Sequence, residues 1–167
     1  VGNQQLSFAK QPPALLQRKL SEAEVVFTCT QFNVPVLKER AGTNGLRRLR
    51  RIYHGADLER FPFEPAAPLD PPLILAVGRL VEKKGLDHLV SACRLLADGG
   101  RRFQCRIVAG SRDRWDELSA QIRELGLSGH VDLTGPVDQD ELRRWDRSAS
   151  VFALPCVVAE GGDRGGI

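Results

Sequence analysis

The sequence predicts an α/β fold in which a doubly wound, mainly parallel sheet occupies the second half of the chain. From residue 73 to residue 154, apolar runs of strand length alternate with segments whose apolar residues recur at helical spacing. The first run, residues 73–77, is continuously apolar, which is typical of a parallel strand covered on both faces. The links between these segments are short, and this combination defines the fold class.

The first sixty residues predict a smaller set of elements. Apolar spacing indicates a helix over about residues 13–23, and the apolar run at 25–29 indicates a buried strand. Thr30 is a favourable N-cap for a helix that reaches about residue 40. A turn at 42–45 and a short strand at 51–53 follow.

A proline-rich stretch separates these elements from the rest of the chain. Prolines occupy positions 62, 65, 68, 71 and 72, a density that predicts a semi-rigid linker. We therefore expect one domain over residues 1–60, a linker over 61–72 and a second domain over 73–167. A lone histidine is more often structural than catalytic, but the position of His54 and Gly55, between the strand at 51–53 and this linker, favours an interdomain role.

Beyond the linker, strand and helix alternate to the end of the chain. The helix after the first strand has an apolar face and ends at Gly99 and Gly100. Further strands are expected at 105–109, 131–133 and 151–154, with Pro155 ending the last. Two more helices are expected, one around residues 115–125 and one over about 139–148.

Composition and charge exclude several functional classes. Of the 167 residues, 42% are hydrophobic and 27% are charged, which is ordinary for a globular protein. The net charge of +3 is too small to indicate nucleic-acid binding, and no apolar run approaches the roughly 20 residues of a membrane helix. The four cysteines form no CxxC pair and lie near no histidine at metal-ligand spacing, so they predict buried free thiols in a reducing, cytosolic setting.

The main candidate for a ligand site follows the strand at 73–77. In open α/β sheets, ligands bind beyond the carboxyl ends of the strands. Gly78 lets the backbone turn sharply and a ligand come close. Arg79 offers a planar fork of donors to phosphate oxygens, and Lys84 adds a charge where the next helix begins. This arrangement suits a diphosphate. The alternative is a solvated loop in which Glu82 pairs with one of the two cations.

Two other strand exits carry weaker signals. Gly110 follows the strand at 105–109 and permits close approach of a ligand, while Gly135 and Val137 follow the strand at 131–133, where free backbone groups could pair with a nucleobase edge. Plain turns explain these exits about as well. The chain has neither GxxxxGK[ST] nor GxGxxG, which argues against an ATPase and a standard NAD enzyme. The arginines at 47, 48, 50 and 51 suit a solvated face or a contact with anionic lipid headgroups.

Four segments resemble family-4 retaining glycosyltransferases, enzymes of the two-domain GT-B architecture. ILAVGRLVEKKGLD at 74–87 is similar to the opening of their donor domain, where an apolar strand is followed by Gly-Arg and then Lys-Gly. IYHGADLERF at 52–61 resembles their interdomain segment, VDLTGPV at 131–137 their base-binding turn, and residues 142–155 the stretch before their sugar-binding loop. These segments occur in the family's order and cover most of the chain from about residue 20 onward. The resemblance implies that residues 1–60 are the C-terminal part of an acceptor domain and that residues 73–167 are a truncated nucleotide-sugar donor-binding domain.

The resemblance implies sugar transfer, with retention of configuration, from a UDP-sugar or GDP-sugar to a carbohydrate or lipid-linked acceptor. Arg79 and Lys84 would hold the donor diphosphate and offset charge on the leaving group. Gly78 would let the diphosphate approach, and backbone groups near Val137 would receive the base. The resemblance implies no metal or cofactor. It places the protein in bacterial envelope or exopolysaccharide synthesis, in the cytoplasm or peripherally at the inner face of the membrane.

The chain departs from the family's pattern near residue 165. The family carries an acidic residue, seven further residues and then Glu across a Gly-x-Pro segment. Here Gly165 occupies the first acidic position, with Glu160 and Asp163 out of register. Because Val1 is not Met and Ile167 follows two glycines, we expect an interior fragment that does not turn over by itself.

Two alternatives to sugar transfer follow from these departures. One is a sugar-nucleotide epimerase, which can share the two-domain architecture but would need acidic catalytic residues that the sequence does not offer. The other is a non-catalytic nucleotide-binding or partner-binding α/β module. The presence of both Arg79 and Lys84 argues against that module, because a degenerate binder has less need of the pair.

Overall fold

The computed structural model describes residues 12–41, 48–59, 62 and 69–160. Contacts divide the chain into two compact units, Val1–Arg60 and Phe61–Ile167. The predicted turn at 42–45 and most of the predicted linker at 61–72 lie outside the described residues, as do Arg47, Asp163 and Gly165. The assignment of the two parts of the chain as acceptor and donor domains stays a prediction.

The first unit packs two helices on one face of a two-stranded parallel sheet. Its elements are Pro13–Glu22 (α1), Val26–Thr28 (β1), Asn33–Ala41 (α2) and Leu49–Arg51 (β2). The core side chains are apolar and come from both helices: Leu16, Leu20, Leu37 and Ala41. Val26 and Leu49, which lie opposite each other in the strand pair, pack against this core. Thr30 Oγ1 accepts a hydrogen bond from the Asn33 N–H at 3.2 Å, which supports the predicted cap of α2.

Two strand predictions in the first unit are wrong in extent. The strand expected at 51–53 is instead Leu49–Arg51, because Leu49 faces the core while Ile52 and Tyr53 are exposed. The strand expected at 25–29 is shorter and is not fully buried, because the described residues cover only one face of this sheet and Phe27 is 61% exposed. His54 and Gly55 are exposed as well and lie beyond the end of β2.

The second unit is built on a four-stranded parallel sheet. Its strands are Leu73–Gly78 (β3), Gln104–Ala109 (β4), Val131–Thr134 (β5) and Val151–Phe152 (β6). Their spatial order is β5-β4-β3-β6, and β3 pairs with β4 along its whole length, ending with Gly78 opposite Ala109. Three helices alternate with these strands: Leu86–Asp98 (α3), Trp115–Glu124 (α4) and Gln139–Ser148 (α5). The predicted doubly wound α/β class is therefore confirmed.

The two faces of this sheet are covered by different helices. Alternate strand residues such as Ala76, Cys105 and Ile107 point into a core shared with α3 and α4. Arg106 belongs to the opposite face, and its guanidinium lies 4.4 Å from the ring centroid of Trp145 on α5. The chain therefore changes face and direction between β5 and β6, which places the topological switch point between β3 and β6. Ligand crevices of open α/β folds lie at such a point, outside the carboxyl ends of the strands.

Strand β6 is shorter than the predicted strand at 151–154. Val151 and Phe152 pair with Ile74 and Leu75 of β3, and the Ala153 N–H donates to the Leu75 carbonyl at 2.8 Å. Both β6 side chains are more than half exposed, because no further strand within the described residues covers this edge. Of the helices that the structure describes, none is long and apolar enough to cross a membrane.

The thiols of the second unit differ in their expected reactivity. Cys93 on α3 and Cys105 on β4 are fully buried, whereas Cys156, like Cys29 in the first unit, is half-buried. A hydrogen bond with the Cys93 thiol, together with burial, raises the pKa of Cys105 far above its usual value. Because both thiols are buried out of reach of a reagent, we expect neither Cys93 nor Cys105 to react with an aromatic disulfide reagent until the protein is unfolded.

Mass mapping of the modified cysteines in native and urea-unfolded protein checks this expectation. Cys29 and Cys156 serve as internal controls, because they should be modified first. Rapid native modification of Cys105 would contradict the packing of β4 beneath α3.

Candidate functional site

The two predicted cations meet two predicted glycines at the carboxyl ends of β3 and β4. A Cβ built on Gly78 lies 3.8 Å from Cγ and Cδ of Lys84, so the lysine stem crosses the backbone at the end of β3. A Cβ built on Gly110 lies 3.8 Å from Cγ of Arg79, so the arginine stem lies against the end of β4. The Gly110 N–H also donates to the Gly78 carbonyl at 2.9 Å. The structure thus brings Gly78, Arg79, Lys84 and Gly110 together.

Neither cation is neutralised by a carboxylate in the part of the chain that the structure describes. Arg79 is exposed, Lys84 is half-buried, and no ion pair involves either of them. The alternative in which Glu82 pairs with Arg79 or Lys84 is wrong, because Oε1 of Glu82 instead accepts a hydrogen bond from the Glu160 N–H at 3.0 Å. The two positive charges are therefore available to an anion.

The sharp turn beyond β3 lies at Gly85 rather than at Gly78. Gly78 is the last, extended residue of β3, whereas Gly85 has φ +61° and ends the 3-10 turn Glu82–Lys84. Gly85 is also the N-cap residue of α3, and no side chain caps this helix. The prediction that Gly78 makes the turn is thus wrong. Lys84 directly precedes this N-cap, so the prediction that it lies where the next helix begins is confirmed.

A serine hydroxyl ties the exits of β3 and β4 together. Ser111 Oγ accepts a hydrogen bond from the Leu80 N–H at 3.1 Å, and Leu80 is almost fully buried. This bond satisfies a backbone donor that would otherwise be buried without a partner. It also fixes the loop that carries Arg79 against the next strand. Sequence reasoning singled out Gly110 at this exit and missed the hydroxyl beside it.

Gly135 and Val137 lie at the exit of β5, beyond β4 on the same edge of the sheet. Both are half-buried, and a Cβ built on Gly135 meets no atom within 4 Å. Asp138 then caps α5 by accepting a hydrogen bond from the Glu141 N–H at 2.7 Å. Two strand spacings separate this exit from that of β3, which amounts to about 10 Å. The predicted contact of this turn with a base stays a prediction.

A cavity of about 280 Å³ lies beside the β3 exit on the side of α3 and α4. Leu80, Leu86 and Leu118 contribute its apolar part. On its polar rim, Arg114 Nε donates a hydrogen bond to Glu117 Oε2 at 2.7 Å. This bond raises the pKa of Arg114. Neither Arg79 nor Lys84 lines the cavity, so it is separate from the cationic site.

Other predicted features do not join the cationic site of the second unit. His54 and Gly55 belong to the first unit, so their interdomain role stays a prediction. Among the arginines near residue 50, Arg51 stacks on Tyr53 at 4.9 Å and donates to Gln31. Arg51 therefore has a structural partner. Across the described ranges, no group of three or more His, Cys, Asp or Glu side chains could hold a metal ion.

The second unit is therefore a doubly wound α/β domain with an unneutralised cationic site at the exits of β3 and β4, and domains of this class bind ligands beyond the carboxyl ends of their strands. The family model "Glycosyl transferases group 1" matches residues 57–162. The match spans more than half of the chain, and the chain belongs to this family.

Individual relatives agree with this assignment. The chain is 38% identical over 114 residues to the amylovoran biosynthesis glycosyltransferase AmsK of Erwinia amylovora, covering 68% of this chain and 28% of the relative. It is 32% identical over 120 residues to the GDP-mannose-dependent alpha-(1-6)-phosphatidylinositol monomannoside mannosyltransferase of Mycobacterium tuberculosis, covering 65% and 30%. The chain thus spans less than a third of either relative's length.

A solved structure confirms the fold. Anabaena Alr3699/HepE in complex with UDP matches with a TM-score of 0.70 and 20% identity, covering 92% of this chain and 45% of that chain. The fold is the one shared by GT-B glycosyltransferases, as predicted.

Proposed function

We propose that this chain is part of a glycosyltransferase that takes a sugar from a nucleoside diphosphate sugar, and that Arg79 and Lys84 bind the donor diphosphate. The observation that carries the proposal is the unneutralised cation pair at the exits of β3 and β4. Membership of the group 1 family and the names of the relatives support it.

The chemistry follows from the charge of the leaving group. When the bond between the sugar and the diphosphate breaks, negative charge builds up on the diphosphate oxygens while an acceptor hydroxyl takes the sugar. Charged donors fixed at that place stabilise the transition state more than the ground state. The guanidinium of Arg79 can donate two parallel hydrogen bonds, and Lys84 adds a point charge.

The spacing of the strands supports a position for the base. The exit at Gly135 and Val137 is about 10 Å from that of β3 by ordinary strand spacing, which suits an extended nucleoside diphosphate lying across the edge of β4. We therefore propose that backbone groups of this turn receive the base. One relative is named as GDP-mannose-dependent and the solved neighbour is in complex with UDP, which supports a UDP-sugar or a GDP-sugar as the donor.

The acceptor and the cellular setting are part of the same proposal. The relatives' names support a carbohydrate or a lipid-linked acceptor, in exopolysaccharide or envelope synthesis. An acceptor of the second kind would bring the protein to the inner face of the membrane from the cytoplasm. Retention of configuration follows from the resemblance of the sequence and is part of the proposal too.

Calorimetric titration of the full-length protein with UDP, GDP and ADP tests the proposal. We expect one nucleotide to bind. We expect the corresponding nucleoside diphosphate sugar to transfer its sugar to extracted saccharides or polyprenyl-linked saccharides, with release of the nucleoside diphosphate. Interconversion of the donor sugar without transfer would establish the epimerase alternative. Nucleotide binding without either reaction would establish the binding module, and absence of any nucleotide binding would refute the donor site.

A further inference from the structure

A second loop, which leaves β6, is hydrogen-bonded to the turn that carries Lys84. The segment 153–160 leaves β6 and runs back to the 3-10 turn Glu82–Lys84. The Val157 N–H donates to the Lys83 carbonyl at 3.1 Å, and the Glu160 N–H donates to the Glu82 carboxylate at 3.0 Å. We call the segment 153–160 the β6 exit loop.

We propose that Glu82 is a positioning residue of the transfer reaction, one that holds the β6 exit loop as a wall of the donor crevice. The proposal rests on the proposed function. Because β3 and β6 flank the topological switch point, the loops that leave them border the ligand crevice. The backbone atoms of Val157 and Lys83 form one hydrogen bond, and within the described residues Glu82 supplies the side-chain hydrogen bond that holds the loop to the turn.

The same hydrogen bond gives Glu82 a second effect. It is the acidic residue of a loop that also carries Arg79, Lys83 and Lys84. The hydrogen bond from the Glu160 N–H holds this carboxylate, and within the described residues it forms no ion pair with Arg79 or Lys84. Glu82 therefore organises one wall of the crevice while neither phosphate-binding cation is paired with it. It does not itself need to touch the donor.

Three variants separate this role from other causes. Glu82→Ala removes the acceptor oxygen, whereas Glu82→Gln keeps one. Glu124→Ala is the matched control, because this exposed carboxylate ends α4 and takes no part in a hydrogen bond or ion pair of the described residues. Both positions, 82 and 124, are exposed, so we expect each variant to fold.

Hydrogen exchange of the peptide that contains residues 156–160 tests the attachment directly. We expect Glu82→Ala to speed exchange about tenfold, with Glu82→Gln and Glu124→Ala within about threefold of the unmodified protein. In the transfer assay with full-length protein, Glu82→Ala should lower kcat/KM for the donor about tenfold, and Glu82→Gln should restore it. Affinity for the nucleoside diphosphate product should change by less than about threefold in every variant, since Arg79 and Lys84 are intact.

Several results would overturn the positioning role. These are unchanged exchange in Glu82→Ala, a Glu82→Gln variant as slow as Glu82→Ala, or a loss of nucleoside diphosphate affinity that matches the loss of kcat/KM. If the unmodified full-length protein transfers no sugar, the proposed function fails. The exchange measurement then still decides whether Glu82 holds the loop.

Discussion

Replacing Arg79 and Lys84 together by alanine should lower the affinity of the full-length protein for its nucleoside diphosphate about a hundredfold. Each charge-assisted contact with a phosphate oxygen contributes about 1.5–3 kcal/mol, so the loss of two such contacts costs on the order of 3 kcal/mol or more. At about 1.4 kcal/mol for each factor of ten, this is a change of two decades in the dissociation constant. Calorimetric titration of the variant and of the unmodified protein measures it.

The control for this experiment removes the same two positive charges elsewhere. Arg101 and Arg144 are exposed, and their side chains make no ion pair within the described residues. The Arg101→Ala, Arg144→Ala double variant should bind nucleotide within about threefold of the unmodified protein, because Arg101 precedes β4 and Arg144 lies within α5, away from the exits of β3 and β4, and exposed charges are screened by salt. If both double variants lose affinity equally, general electrostatic attraction explains the binding. If neither does, the diphosphate lies elsewhere.

Local sequence signals predicted most of the fold. The strands β3, β4 and β5 and the helices α3, α4 and α5 lie within a few residues of their expected positions, because each has an apolar pattern of its own. The local apolar pattern predicted the strand wrongly at Ile52 and Tyr53, whose apolar character suggests a strand. These two side chains are exposed, and β2 is instead fixed by the pairing of Leu49 with Val26. Strand pairing is a non-local property that the local pattern of one strand does not contain.

The candidate site was predictable to a similar degree. The rule that ligands bind at strand exits located Gly78, Arg79, Lys84 and Gly110, and the structure brings these four together. This rule could not identify the hydrogen-bond partner of Glu82. An acidic residue beside three cations suggests an ion pair, but the actual partner is a backbone N–H 78 positions further along the chain. The contribution of Ser111 was missed for the same reason, since Leu80 is 31 positions away.

The sequence also did not show that Gly85 is the glycine whose replacement the packing opposes. Gly78 and Gly85 both lie in the motif at 74–87, and sequence alone favoured Gly78 as the residue of the turn. Only the structure shows that Gly85 has the positive φ and that the β6 exit loop crosses directly over it. A Cβ built on Gly85 lies 2.1 Å from the carbonyl oxygen of Pro155, which is backbone and cannot rotate away.

Gly85→Ala should therefore destabilise the second unit by about 2–5 kcal/mol. The left-handed conformation costs alanine about 1–2 kcal/mol, and forcing a methyl group into a filled space adds about 1–3 kcal/mol. Urea unfolding followed by tryptophan fluorescence measures the change. Both tryptophans of the chain, Trp115 and Trp145, lie in the second unit and report on its unfolding.

Gly100→Ala is the matched control, because it separates the two parts of this cost. Gly100 has φ +67°, almost the same as Gly85, but a Cβ built on it meets no atom within 4 Å. It should cost only the conformational part, about 1–2 kcal/mol. The difference of at least about 1–2 kcal/mol between the two variants then measures the close approach of Pro155. Equal destabilisation would mean that the β6 exit loop does not pack against Gly85. The proposal that Glu82 holds this loop beside the donor crevice would then be contradicted at this contact.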